Sequence, residues 1–529
     1  MPLLIRNGEV ADGSGHSRFA ADIYIRDGHI AGIGNMRKEH VTEILDASGL
    51  VVAPGFIDVH SHADFTLPLQ PTADSLLHQG ITTAVVGNCG TSPSPLLDET
   101  RKSVIRAMQS EDRPMPWERW SSFDSYIKYL EDTGISLNVA PLVGLGTIRA
   151  GVMGYANREP SAAELQSMQV EVSKALESGA HGVSSGLIYP PGMYSSTREL
   201  ASLVRAVGQA RGIYSSHIRD EGAGLMDAVL EATRVGRETG ASVEISHLKA
   251  MGRENWASFP AVLQEVEGAG LGGIDVHADV YPYIATSTTL SAMLPRWAQE
   301  GGRSKALDRL VDPTSRRQMA ADMRNTGLAR HADWSKVLIS RSPKRSDYEG
   351  HFVSELAERS RRPPIEWVFD ALRQTELDIG MIDFCISEDN LRQALKHPLT
   401  MVGTDGSGLS VEGPLSNGLP HPRSYGTCPR VLGRFVRDQG LLSLETAVRK
   451  MTGMPAEKLR LATRGLIKQG NAADIVVFDP LKIADRATYE SPHQYPDGII
   501  HVLVNGQFVI RDGVHTGARP GIPLRRVLS

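Results

Sequence analysis

The sequence predicts an α/β protein: a (β/α)8 barrel of the TIM type joined to a small β-sandwich that both chain ends build together. Three observations predict it. Short strands with two-residue turns occupy both ends of the chain. Between them, apolar strands alternate with amphipathic helices. The residues suited to metal and acid–base chemistry fall at the C-terminal ends of those strands, where a barrel gathers its active site.

At the amino end, Asn7-Gly8 and Asp27-Gly28 are hairpin signals flanked by Leu3–Ile5, Ile23–Ile25 and Ile30–Ile33. At the carboxyl end, Ala473–Phe478 reads as a buried strand, and Val502–Val504 and Phe508–Ile510 flank Asn505-Gly506. Neither end carries enough apolar surface to fold alone, so residues 1–53 and 466–529 are expected to pair into one domain. Residues 54–465 hold the barrel pattern. Ser161-Ala162-Ala163-Glu164 is a capping box ahead of Leu165, Met168, Val172 and Leu176, with Gly179 as the stop. Ser196-Thr197-Arg198-Glu199 repeats it, and Ser443–Met451 forms a third such helix before Gly453 and Pro455. The alternating strands are Val51–Val59, Ile81–Val86, Leu137–Val143, Gly182–Leu187, Ile213–His217, Val243–His247, Ile274–Tyr281 and Thr400–Gly403. Met381–Ile386 is a ninth candidate, one too many for eight staves. Residues 284–346, rich in Arg, Ser and Asp, break the alternation and are expected to be an insertion near the mouth.

The 529 residues carry a net charge of −5, which leaves no basic footprint for nucleic acid and no attraction to an anionic membrane. Three cysteines cannot form a disulfide framework, and no apolar run reaches the length of a membrane span. A cytoplasmic protein is the expectation, with a small molecule as its partner.

His60 and His62 stand two apart at the end of the first barrel strand and so face one side. Cys89 ends the second strand, His217 the fifth, His247 the sixth and Asp405 the eighth. One histidine alone is more often a hydrogen-bonding residue than a ligand, and His78, His181, His277, His397 and His421 keep that reading. Four at strand ends, with a cysteine among them, point to a metal. Mixed nitrogen and sulfur donors suit zinc. Cys385 and Cys428 lack such a setting and read as structural.

Pro54-Gly55-Phe56-Ile57-Asp58-Val59-His60-Ser61-His62 resembles the metal-binding opening of the amidohydrolase superfamily. Gly87-Asn88-Cys89-Gly90, Ser246-His247-Leu248-Lys249, Asp279-Val280-Tyr281-Pro282-Tyr283 and Pro422-Arg423-Ser424-Tyr425-Gly426-Thr427 narrow the resemblance to the D-aminoacylases, or N-acyl-D-amino-acid deacylases. The matches run on to Ala473–Pro480 and so cover nearly the whole chain. The resemblance implies a zinc site and hydrolysis of an N-acyl-D-amino acid to a carboxylate and a free D-amino acid. It also implies that Cys89, His217 and His247 hold the tight zinc, and that His60 and His62 serve a second, weaker position. The loop from Asp405 to Arg423 is longer than in some members, and Cys428 stands where an aromatic is common.

Amide hydrolysis needs an activated water and a proton for the leaving nitrogen. Zinc lowers the pKa of bound water from 15.7 to about 7. Asp405 is then the expected general base and acid. Arg423 suits a bidentate pairing with the substrate carboxylate, and Lys249 adds a point charge. Tyr189, Tyr281 and Tyr283 offer hydroxyl donors, and Arg296 in the insertion could reach an acidic side chain on the substrate, although a solvated surface arginine is the commoner case. Two alternatives stand beside this reading. A cyclic-amide hydrolase of the dihydroorotase or hydantoinase type would need a bridging lysine on the fourth strand, where Gly182–Leu187 has none. A non-catalytic scaffold would be free to lose ligands, yet every position is filled.

Overall fold

A computed structural model describes residues 2–35, 41–110, 112–325 and 327–526. Eight parallel staves follow one another in chain order. Phe56–Asp58 pairs with Ile81–Val86, which pairs with Asn138–Pro141. The chain then steps through Leu142, and Val143–Gly144 pairs onward with Gly182–Gly186. Ile213–His217, Ser242–Ile245, Val276–Val280 and Thr400–Val402 complete the series. The last stave returns to the first just beyond their ends: the Asp405 amide donates to the His60 carbonyl at 2.8 Å, and the His62 amide to the Gly406 carbonyl at 2.7 Å. The staves are buried along almost their whole length because helices cover their outer side, which explains their continuous apolar runs.

The helices begin where their caps place them. Ser161 and Glu164 close the capping box of Ala162–Glu177. Ser196 caps Thr197–Gln209, but its Glu199 does not complete a box. That carboxylate instead meets the buried Arg149 guanidinium at 3.0 Å, a charge pair that outcompetes a local cap.

Both chain ends enter one nine-stranded sheet in which Val51–Pro54 joins Leu3–Val10 to Ile475–Phe478. The two layers of the expected sandwich are thus one continuous sheet around a shared core of Leu3, Ile5, Ile23, Ile25, Ile475 and Leu503. The last described residues leave this sheet and line the barrel's base. The Val139 amide donates to Ile522 at 3.0 Å, Leu524 donates to Val139 at 2.7 Å, and the Arg526 amide donates to Gly179 at 2.9 Å.

The insertion is larger than the sequence reading drew it. Thr286–Thr289, Val337–Arg341 and Gly380–Asp383 form an antiparallel sheet with Gly380–Asp383 in the middle. The supernumerary strand at Met381–Ile386 therefore belongs to the insertion, which runs past residue 346 to residue 383. A central strand covered on its two faces has the same apolar texture as a barrel stave, so periodicity could not separate them. Met293, Ile339, Phe369, Leu372 and Met381 give this unit its own core. Among the described residues no helix is long and apolar enough to cross a membrane.

The tail along the base gives a first test. Truncation after residue 516 strips the bonds to Ile135, Val139 and Gly179 and exposes the buried His181 edge. The thermal unfolding midpoint is expected to fall by several degrees, since each buried group left unpaired costs about 1–3 kcal/mol. An unchanged midpoint in a thermal scan would refute this role for the tail.

Candidate metal centre and active site

The stave ends converge as the barrel requires, and three of the converging residues hold strained backbone. Cys89, His247 and Asp405 have φ values of 52°, 37° and 48°, a left-handed region that side chains other than glycine seldom adopt. This turn at the end of a stave swings each side chain off the sheet and into the mouth. Gly90 makes the turn at Cys89 possible, because a Cβ there would lie 2.4 Å from the Gly186 amide nitrogen.

Among the described residues, two sets of ligand atoms form, and they share Cys89. His60, His62, Cys89 and Asp405 make one; Cys89, His217 and His247 make the other. Cys89 Sγ lies 3.3 Å from His60 Nε2 and 3.7 Å from His247 Nε2, and His247 Nε2 lies 3.0 Å from His217 Nδ1. Asp405 Oδ1 lies 3.1 Å from His62 Nε2 and 3.5 Å from His60 Nε2. A tetrahedral zinc with ordinary Zn–N and Zn–S bonds has edges of about 3.3–3.6 Å, so these separations fit a metal at the shared thiolate.

The charges ask for the same occupant. Burial opposes a proton on His62, yet Asp405 and Cys89 beside it raise its pKa to about 10. Burial likewise opposes ionisation of the Cys89 thiol, but His60, His217 and His247 hold it well below its ordinary value. Thiolate and carboxylate thus pull positive charge into this spot, and a divalent cation supplies it without protonating its ligands.

Two acids that were not singled out in the sequence orient the ligands. Asp279 Oδ2 lies 3.1 Å from His60 Nδ1, which leaves Nε2 facing Cys89. Glu221 Oε1 lies 2.9 Å from His247 Nδ1, and its Oε2 lies 3.8 Å from His217 Nε2. A carboxylate behind a ligating histidine fixes its tautomer and raises its basicity. Glu221 follows His217 by four residues and Asp279 lies in the Asp-Val-Tyr-Pro-Tyr segment, but nothing in the sequence separates them from 59 other acids.

The expected substrate residues divide. Tyr189, Tyr281 and Arg423 line a cavity of about 640 Å³ that opens from Cys89 toward the insertion. Arg423, 6% exposed, stacks on Tyr281 at 4.7 Å, with Nη1 2.8 Å from Asp405 Oδ2 and Nη2 donating to the Ser287 carbonyl at 3.3 Å. The Nη1 contact lacks hydrogen-bond geometry, so this buried donor remains unsatisfied. His421 keeps its hydrogen-bonding role: Nδ1 accepts from the Arg423 amide at 3.0 Å and so sets the arginine's place. The Tyr189 hydroxyl meets Thr288 of the insertion at 2.8 Å. Lys249 also reaches the cavity wall, but its ammonium is engaged by Glu221 and by His247 Nδ1. Tyr283 is off the wall altogether. It is packed beneath Arg430 with its hydroxyl 3.4 Å from the Pro422 carbonyl, which corrects its reading as a substrate contact. Arg296 is solvated and stacks on Tyr194. On the fourth stave, Ser184 and Ser185 bond to Gly87 and Tyr214 where a bridging lysine would be needed for the cyclic-amide alternative.

Metal content tests this arrangement. Cys89→Ala and His217→Ala are expected to lose most of the zinc, and Glu221→Gln to weaken it about 10–100-fold. Elemental analysis with chelator competition reads both, and full occupancy in Cys89→Ala would sink the ligand assignment.

Comparison with known proteins agrees with this geometry. The amidohydrolase family profile matches residues 43–128 and 176–510. The N-acyl-D-glutamate deacylase of Alcaligenes xylosoxydans xylosoxydans is 36% identical over 100% of this chain and 97% of its own. The D-aminoacylase of the same organism is 35% identical over 100% and 98%. The crystal structure of N-acyl-D-glutamate deacylase from Bordetella bronchiseptica, complexed with zinc and a phosphonate that mimics the tetrahedral intermediate, superposes with a TM-score of 0.84 at 35% identity over 99% of both chains. Stave order, strand-end ligands and full-length similarity agree: the chain belongs to the amidohydrolase family, in the branch of the D-aminoacylases and N-acyl-D-amino-acid deacylases.

Proposed function

We propose that this protein hydrolyses the amide bond of N-acyl-D-amino acids, with zinc as its metal, releasing a carboxylate and a free D-amino acid. One observation carries the reading: a ligand cluster centred on Cys89 stands beside Asp405 and the buried, incompletely paired Arg423 at the end of one cavity. The handedness of the substrate rests on the full-length relatives, which are named for D-amino-acid substrates.

Zinc, when bound by Cys89, His217 and His247, supplies a Lewis acid and brings the acidity of water near neutrality. The side chains do the rest. Asp405 Oδ1 faces the ligand set and its Oδ2 faces Arg423. From there Asp405 takes the proton of the attacking water and passes it to the amide nitrogen as the C–N bond breaks. Arg423, held by His421 and Tyr281, receives the substrate carboxylate. Tyr189 and Tyr281 border the same space. Lys249 acts through His247 and Glu221 rather than on the substrate.

Asp405→Asn is expected to keep zinc and to lower kcat by 10²–10⁴-fold or more, because asparagine matches the size of aspartate but accepts no proton at neutral pH. Zinc content and kcat measured on one preparation separate this base from a ligand. Parallel loss of zinc and activity would assign Asp405 to the metal instead.

Arg423→Ala is expected to raise KM for N-acetyl-D-amino acids strongly, by about 2–5 kcal/mol of binding, since it leaves a carboxylate in a dry pocket without its partner. Substrates whose α-carboxyl is amidated should be poor for the parent protein. Equal cleavage of free and amidated substrates would overturn the clamp.

A further inference from the structure

Cys89 belongs to both ligand sets, so the backbone that carries it bears on the whole centre. That backbone is the turn Gly87-Asn88-Cys89-Gly90, in which Gly87, Cys89 and Gly90 have φ values of 79°, 52° and 72°. A strained turn persists only where its surroundings pin it. The entry is pinned from two sides. Asp64 Oδ2 accepts from the Gly87 amide at 3.1 Å, and the Ser215 hydroxyl donates to Asn88 Oδ1 at 3.0 Å. Inside the turn, the Thr91 amide donates to the Asn88 carbonyl at 3.1 Å.

The fourth stave supplies the pin that spans the turn from end to end. Ser184 Oγ accepts from the Gly90 amide at 2.9 Å and donates to the Gly87 carbonyl, so one hydroxyl holds the residues on either side of Asn88 and Cys89. Ser184 is fully buried, and no solvent competes for these contacts. The fourth stave also comes close to Cys89 itself: a Cβ at Gly186 would lie 2.0 Å from the Cys89 carbonyl oxygen. In this position the thiol sulfur stands 3.3 Å from His60 Nε2 and 3.7 Å from His247 Nε2.

We propose that Ser184 is a positioning residue, whose hydroxyl holds the left-handed turn that aims the Cys89 thiolate and so sets metal affinity without touching the metal. This rests on Cys89 being the zinc ligand that the deacylase reading uses. Ser185 is the matching control. It is equally buried, but strand alternation turns it to the other face, where its hydroxyl bonds Tyr214 at 2.9 Å and Ser216 at 3.0 Å. Replacing either serine by alanine removes one buried hydroxyl and leaves its partners unpaired, so both variants lose stability. Only the first frees the turn.

The test compares Ser184→Ala and Ser185→Ala with the parent full-length protein. Zinc affinity is read by chelator competition, and the cobalt(II)-substituted protein is read by the sulfur-to-cobalt charge-transfer band that a thiolate ligand gives. Ser184→Ala is expected to weaken zinc about 10-fold or more and to weaken or shift the band, as loss of a group that orients a ligand does. Ser185→Ala should leave both as in the parent while lowering the thermal midpoint. Band intensity per bound cobalt does not depend on how much of a variant folds. A parent-like affinity and band in Ser184→Ala would show a merely structural hydroxyl and overturn the proposal. Equal weakening by both substitutions would also overturn it, because loosening of the whole stave would then explain the effect. A band that survives in Cys89→Ala removes the thiolate from the metal, and the proposal falls with that assignment. Hydrolysis of N-acetyl-D-methionine by the zinc-loaded parent, measured alongside, tests the deacylase reading separately from all of these.

Discussion

The structure depends on the seam where the barrel closes. The Asp405 amide meets the His60 carbonyl and the His62 amide meets the Gly406 carbonyl, so the bonds that join the last stave to the first run through residues of the site. Beneath them, the Thr404 amide donates to Asp58 Oδ1 at 2.8 Å and the Thr404 hydroxyl to Oδ2 at 2.6 Å. Closing the barrel therefore sets the distance between the His-x-His pair and the acid at the end of the adjoining last stave. Eight staves that failed to close would leave the same residues on a flat sheet edge, too far apart to share an ion.

A second constraint follows from burial. His60, Cys89, His217, His247 and Asp405 are all buried, and in a medium of low polarity unmatched charges cannot persist. The ring of acids behind them, Asp279 and Glu221, aims nitrogen lone pairs inward and adds negative charge. Lys249 offsets Glu221 on the outer side. What remains at the centre is a thiolate and a carboxylate facing imidazole nitrogens, and a divalent cation satisfies all of them at once. The backbone strain at Cys89, His247 and Asp405 has the same logic, since a loop free to relax would turn these groups back to the sheet.

Much of this was legible in the chain. The caps at Ser161 and Ser443 and most stave runs follow from local chemistry, and the structure has them where the sequence predicted; the first run, Val51–Val59, is divided, with Val51–Pro54 in the end sheet and Phe56–Asp58 in the barrel. The misreadings share one cause, that side-chain partners are chosen by three-dimensional neighbours. Met381 and Ile382 look like a barrel stave because two-sided burial leaves no alternation. Tyr283 sits two residues from Tyr281 yet points into a different layer, under Arg430. The ion pair of Lys249 with Glu221 was not legible either, because Glu221 comes from the loop after another stave. Glu199 fits a capping box until the buried Arg149 claims it. Each is a competition that only packing decides.

The insertion and the barrel are coupled by the groups that would touch substrate. Arg423 donates to Ser287, Tyr189 meets Thr288, and Arg341 donates to Asp112. These groups take their places in part from the insertion, so the insertion shapes the pocket rather than merely roofing it. Arg423 makes the consequence clear. It stands between Asp405 and the Ser287 carbonyl with one donor unsatisfied, held firmly enough to be ordered and loosely enough to accept a carboxylate. A fully bonded arginine would have to break contacts before binding, and an unbonded one would have to be ordered on binding. Partial satisfaction minimises both costs, which is how a rigid barrel presents a preorganised cation to an anionic substrate.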